Sequence, residues 1–203
     1  MKALTVKNPY AFLICTPSQD KYRTGIKDIE NRTWRTHFRG RVFIHASAKI
    51  VDVEFTTSQT ADLYLNNIWQ PGVGFSTEMK VVSAIIGEVD IVDCVVNHSS
   101  VWAEKDSKIN NGDLEAKTIW NWVLANPVLY DKPILNVKGQ LSFWEPKIDI
   151  VKCIGCDQKF DFATMEEDDG GENFCSECWA ELSPIMAQEA EENNLLNFQN
   201  DKI

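Results

Sequence analysis

The sequence predicts an α+β chain in two parts: a small mixed β-barrel with flanking helices over residues 1–147, then a separate cysteine-rich module over residues 148–203. Short β-rich stretches recur with only one or two helical patterns between them, which favours a small curled barrel over a doubly wound sheet. A chain of 203 residues that is 44% apolar and 25% charged can bury a sizeable core and still carry a small second module. Beyond Pro146 the composition changes, becoming acidic and bringing two Cys-x-x-Cys pairs.

Taken in order, ALTVK alternates as a half-buried strand does, and NPYAFLI then offers Asn8 as N-cap and Pro9 at the first helical position, where its missing N–H costs nothing. Pro17 should end that helix by Thr16 to Ser18. KYRTGIKD reads as a loop bent at Gly25; IENRTW and RVFIHASA read as strands on either side of a turn at Gly40. An imperfect helical spacing runs from Val53 to about Asn67 and is broken by QPGVGFST. VVSAIIGEVDIVDCVV is a long β-branched strand with Gly87 where it could bend or bulge. HSSVWAE offers Ser99 or Ser100 as the cap of a short helix, INNGD is a turn, and TIWNWVLANPVLY and ILNVKGQLSFWEP read as the last two strands. In the second part, WAELSPIMAQEAEENN reads as an acidic helix interrupted at Pro184, and the last ten residues as loosely held.

The net charge of -10 conceals a division. Residues 1–50 hold ten Lys and Arg against three Asp and Glu, a net +7; residues 51–147 hold seven against thirteen, -6; residues 148–203 hold three against fourteen, -11. A basic front and an acidic back suggest one surface that attracts polyanions and another that repels them. No apolar run has the length of a signal or a membrane span, so a soluble, cytoplasmic chain is expected. In that setting the six cysteines are thiols or metal ligands rather than a disulfide framework.

Cys153 and Cys156 form one pair and Cys175 and Cys178 another, with eighteen residues between them. Two such knuckles complete a tetrahedral thiolate shell, and with all four ligands cysteine no open position remains, so a structural Zn2+ in a zinc-ribbon-like module is expected; iron takes the same ligands. A redox pair is disfavoured because the strand-to-helix setting it uses is absent. Only Lys152 and Lys159 stand near the first knuckle, so phosphate contact there is poor and a protein partner or a bracing role fits the acidic module better. Cys15 and Cys94 sit in apolar surroundings and read as small core residues; Trp69, Trp102, Trp120 and Trp122 read as core aromatics.

GIKDIENRTW places Lys27, Asp28, Glu30 and Arg32 within six residues. On an extended segment Glu30 and Arg32 share a face. Lys27 can reach that face from the preceding loop, leaving donors and an acceptor for a planar polar ligand, or simply an ion-pair network that braces the loop. The spacing Gly25, Lys27, Glu30, Arg32 is GxKxxExR, and together with LTVKNPYAFLI, RGRVFIHASAK, SAIIGEVDIVDCV and GQLSFW the chain resembles the ASCH domain family over roughly residues 1–146. That resemblance implies a PUA-like β-barrel with a cleft over the signature that binds RNA or a nucleobase. The candidate site residues are Lys27, Glu30 and Arg32, then Trp34, Asn8, Pro9, Tyr10, His45, Ser47 and Trp144. Lys7, Lys21, Arg23, Arg35, Arg39, Arg41 and Lys49 are candidates for phosphate.

A similar branch hydrolyses N4-acylcytidine with a lysine and a threonine three residues later; Lys27 matches the lysine, but Glu30 stands where the threonine would be. A ribonuclease role would use Lys27 and Arg32 on the phosphorane, with Glu30 as base and His45 as a candidate proton carrier. Binding module, enzyme on nucleosides or RNA, and protein-interaction adaptor are the three readings, in that order.

Overall fold

The computed structural model describes residues 1–69, 77–106, 115–185 and 188. QPGVGFST falls almost entirely outside these residues, and INNGD and the last ten residues do so completely. The chain divides into two compact units, Met1–Pro146 and Lys147–Ile203.

The first unit carries β1 (Ala3–Asn8), β2 (Ile29–Arg32), β3 (Gly40–Ile50), β4 (Ala84–Val95), β5 (Trp120–Ile134) and β6 (Phe143–Trp144) in one sheet of order β2-β5-β4-β3-β1-β6. β1 and β3 are parallel; every other neighbouring pair is antiparallel. β4 and β5 shift register at three places. Each shift bends and twists a strand, which curls the sheet into an open half-barrel. Helix α1 (Tyr10–Cys15) packs on β1, β3, β4 and β5 and buries every residue from Ala11 to Cys15. Trp102 and Trp122 complete the core, with Trp69 and Trp120 partly buried against it, and Cys15 and Cys94 are buried thiols.

Several local expectations are corrected. Pro9, not Asn8, is the N-cap of α1, although the Asn8 side chain still accepts the Phe12 N–H at 3.1 Å. The second helix, α2, is confined to Thr57–Leu65 by a reciprocal capping box between Thr56 and Gln59. HSSVWAE forms a turn and not a helix; the Ser100 hydroxyl accepts the Trp102 N–H at 3.1 Å and donates to Asp28 at 2.5 Å. The region read as two final strands is one long β5 followed by a loop and the two-residue β6. β5 tolerates two prolines because both sit in bulges. Asn126 and Pro127 oppose Val89 alone, and Pro133 lies in the stretch between Leu129 and Ile134 that faces only Ile86.

In the second unit, β7 (Ile150–Lys152) pairs with β8 (Lys159–Asp161) and β9 (Met165–Glu167) with β10 (Asn173–Cys175), followed by helix α3 over 176–185. Pro184 does not break this helix; it lies in the last continuously described turn, where one N–H donor is lost. No helix among the described residues is long and apolar enough to cross a membrane.

Candidate functional site

The charged segment is fixed in place by its neighbours. Gly25 bridges to Pro17, and a Cβ on it would lie 3.3 Å from Pro127, so close approach rather than a tight bend requires glycine. The N–H groups of Ile26 and Lys27 then bond to the carbonyls of Thr16 (3.0 Å) and Leu13 (3.1 Å), tying the loop to the C-terminal end of α1, where carbonyls lack helical partners. β2 pairs with β5, setting Glu30 opposite Trp122 and Arg32 opposite Trp120.

Glu30 stands between two cations: Lys27 Nζ lies 3.0 Å from Oε2 and Arg32 Nη2 lies 3.0 Å from Oε1. Lys27 is only 4% exposed, also donates to the Ile29 carbonyl, and sits 5.3 Å from the centre of the Tyr10 ring. Its role is that of a counter-ion, since little of it is left to reach outward. Arg32 Nη2 also donates to the Thr5 carbonyl at 3.0 Å, while its Nε is buried with no partner.

Two cavities meet at this trio. The larger, about 420 Å³, is lined by Thr5, Lys7, Tyr10, Glu30, Arg32, Ser47, Lys49 and the loop Gln140, Leu141 and Ser142, among others. The smaller, about 320 Å³, is lined by Lys27, Gln59, Trp102 and Glu104 among others, and shares Tyr10, Glu30 and Asn31 with the first. Burial, then the charges of Glu104 and Glu30, raise the pKa of the Tyr10 phenol, which keeps it a neutral O–H. A carboxylate, a guanidinium and an aromatic ring at one wall suit a planar ligand with both donors and acceptors on its edge.

Tyr10 lines the cavities, but five other expected site residues do not, and the structure corrects them. Trp34 packs edge-on against Trp122 at 4.5 Å and Phe143 at 5.8 Å, because β2 ends at Arg32 and the alternation that would have set Trp34 beside it stops there. Asn8 is fully buried, donating to Val81 and accepting from Phe12. His45 is 1% exposed; its Nε2–H donates to the Val137 carbonyl at 2.8 Å and its ring lies 5.5 Å from Trp144. Trp144 is buried too, and acts from behind the wall by donating Nε1–H to the Thr5 hydroxyl at 3.0 Å. Pro9 is buried at the start of α1, whereas Ser47 does line the larger cavity. Thr5, Glu104 and the 140–142 loop were missed. Long-range chain placement brings them to the cavities, and no local motif marks it.

Of the seven basic residues expected to meet phosphate, five are engaged elsewhere. Arg23 pairs with Asp62, Arg39 with Asp93 and Arg41 with Glu88 and Asp90, while Lys21 lies over the Tyr22 ring and Arg35 over the Trp120 ring. Arg39 is further excluded by position: it precedes Gly40 at the opposite end of β3 from Ser47 and Lys49, roughly 30 Å along the strand. Lys7 and Lys49 remain, both exposed and both lining the larger cavity.

In the second unit the four cysteine sulfurs all lie within 4.8 Å of one another, and Cys156 and Cys175 are 4.0 Å apart. Tetrahedral zinc–thiolate bonds of about 2.3 Å would hold sulfurs about 3.8 Å apart, so the set fits one ion. Burial opposes ionisation of Cys153, but N–H groups of Cys175, Cys156 and Gly155 aimed at its sulfur outweigh it and bring the pKa down to about 6. Such N–H bonds favour a thiolate, the form a metal requires.

Comparison with curated proteins gives no match. The ASCH domain family matches residues 4–134, a span that runs from the second residue of β1 to the end of β5 and holds the signature trio and the Lys7–Lys49 wall. It is a family of PUA-like barrel fold, and its membership suggests RNA binding or a related function at the family level. By this match and by the curled sheet that carries it, the chain belongs to the ASCH domain family.

Proposed function

We propose that the cavity over Glu30 and Arg32 binds a nucleobase, presented by RNA or by a free or modified nucleoside, and that Cys153, Cys156, Cys175 and Cys178 hold a structural Zn2+ in a zinc-ribbon-like domain over residues 148–203. The observation that carries the first part is that Glu30, held between two cations, Arg32 and the Tyr10 ring line one cavity of about 420 Å³. A base edge offering an acceptor to the Arg32 guanidinium and a donor to the Glu30 carboxylate suits that wall, with the Tyr10 ring beside it. Four thiolates leave the metal no open position, which supports bracing rather than catalysis, and reduced thiols suit the cytoplasm.

Binding is favoured over turnover by the state of the groups a reaction would need. Both Glu30 oxygens are ion-paired, Lys27 is buried on three partners, and His45 is sealed from the cavity. None of the three stands free to move a proton. Ile154 and Phe162, exposed apolar side chains on the acidic second unit, support a protein-binding role there as the second reading.

Titration of the full chain with short single-stranded RNA and with the four ribonucleosides tests the proposal. Arg32→Ala and Glu30→Gln, checked for folding by circular dichroism, are each expected to weaken binding by about tenfold or more, the effect of losing one good polar contact to a base. Absence of binding to every nucleoside and to RNA would reject the reading and leave the protein-partner one.

A further inference from the structure

The pairing of β1 with β3 changes register at the rim of the larger cavity. Val6 pairs with Ala46, but the next pair is Asn8 with Ile50. Lys7 alone therefore faces Ser47, Ala48 and Lys49, and all four line the cavity. The Ser47 hydroxyl closes the bulge, donating to the Lys49 carbonyl at 2.8 Å and accepting the Lys49 N–H at 3.3 Å. A bulge of this kind re-aims side chains, and here it gathers two lysines on one rim.

Neither ammonium has a hydrogen bond or ion pair with another described residue, in contrast to the five basic candidates engaged elsewhere. Around the cavity, Lys7, Arg32 and Lys49 stand against the single carboxylate Glu30, a local balance of +2 in a chain whose net charge is -10. Two uncompensated like charges on one rim repel each other, and an oxyanion between them relieves that repulsion. A cavity of about 420 Å³ is within the size range of small-ligand sites.

We propose that Lys7 and Lys49 form a phosphate subsite, so that the ligand of this cavity is a phosphorylated nucleoside with its base on Glu30 and Arg32 and its phosphate at the bulge. The inference rests on the nucleobase reading given above. A free nucleotide and a phosphodiester within a strand share this chemistry, and the experiment separates them.

The full chain is titrated at low salt with the four ribonucleosides, their 5′-monophosphates and a mixed-sequence RNA pentamer. The best-bound monophosphate is expected to bind about tenfold or more tightly than its own nucleoside. K7A/K49A brings that ratio close to one, and K7R/K49R restores it. If the pentamer also loses affinity in K7A/K49A, with a salt slope shallower by roughly 1.4 for two lost phosphate contacts, the source is a strand; if only the monophosphates respond, it is a free nucleotide. A ratio near one in the unaltered protein, or a ratio that K7A/K49A leaves in place, overturns the subsite while the nucleobase reading stands. If nothing in the panel binds, both fail together.

Discussion

His45 lies between Ile44 and Ala46 on β3, with its ring closed in by Val137, Trp144 and Gly139; a Cβ on Gly139 would come within 2.4 Å of the imidazole. Burial lowers its pKa from the ordinary 6.5, and the bond to the Val137 carbonyl raises it by less. The imidazole is therefore neutral in the fold and takes a proton more readily in the unfolded chain. A folded pKa below the unfolded one means that the unfolded state binds more protons as the pH falls through 6.5, so stability is present above that value and is lost below it. The melting temperature is expected to drop between pH 7 and pH 5, with a smaller slope in His45→Gln. Equal slopes in the two proteins would assign the acid sensitivity to other groups. The comparison uses slopes because the substitution also changes packing, which shifts the whole curve.

At the level of elements, the curl of the sheet depends on Gly87, where β4 bends against β5. A Cβ there would lie 2.1 Å from the Val128 carbonyl oxygen and 2.8 Å from the Cys15 sulfur. Backbone at that distance cannot be cleared by a rotamer change, so Gly87→Ala is expected to destabilise the first unit by about 3 kcal/mol, the upper part of the overpacking range, read by urea unfolding. A loss under about 1 kcal/mol would show that β4 and β5 shift apart easily. This bend was legible in the sequence because a lone glycine in a β-branched run weakens the strand unless a bulge or a close backbone approach requires it. The Lys27–Glu30–Arg32 trio was legible because eight consecutive residues encode it. The rest of the cavity was legible only in part: Tyr10, Ser47, Lys7 and Lys49 stood among the candidates, but Thr5 and the 140–142 loop did not, because they meet the trio only through the parallel β1–β3 register and the path of the chain after β5. The same limit explains Trp34: local alternation set it beside Arg32, but the end of β2 turns it to Trp122.

The two units of the molecule differ in what holds them together. The first has a continuous core running from Leu4 to Leu124, built on long strands paired within the unit. Among the described residues, the second has three-residue strands and a cluster of Cys153, Phe174 and Cys175 as its buried apolar residues, with Phe160, Met165, Trp179 and Leu182 partly buried around it. So small a core does not offset the entropy of ordering the chain, whereas zinc binding to a four-thiolate site contributes on the order of 10 kcal/mol. Removal of the proposed zinc by a chelator is therefore expected to erase backbone protection in the second unit and leave the first folded. Hydrogen exchange followed by mass spectrometry resolves the two: peptides covering 150–182 should exchange freely after chelation, while those covering β3, β4 and β5 keep their protection. Retention of protection across 150–182 without metal would mean that the small cluster suffices. Simultaneous loss in β4 would mean that the two units unfold as one, because a metal confined to four cysteines beyond residue 150 stabilises the half-barrel only through coupling between the units.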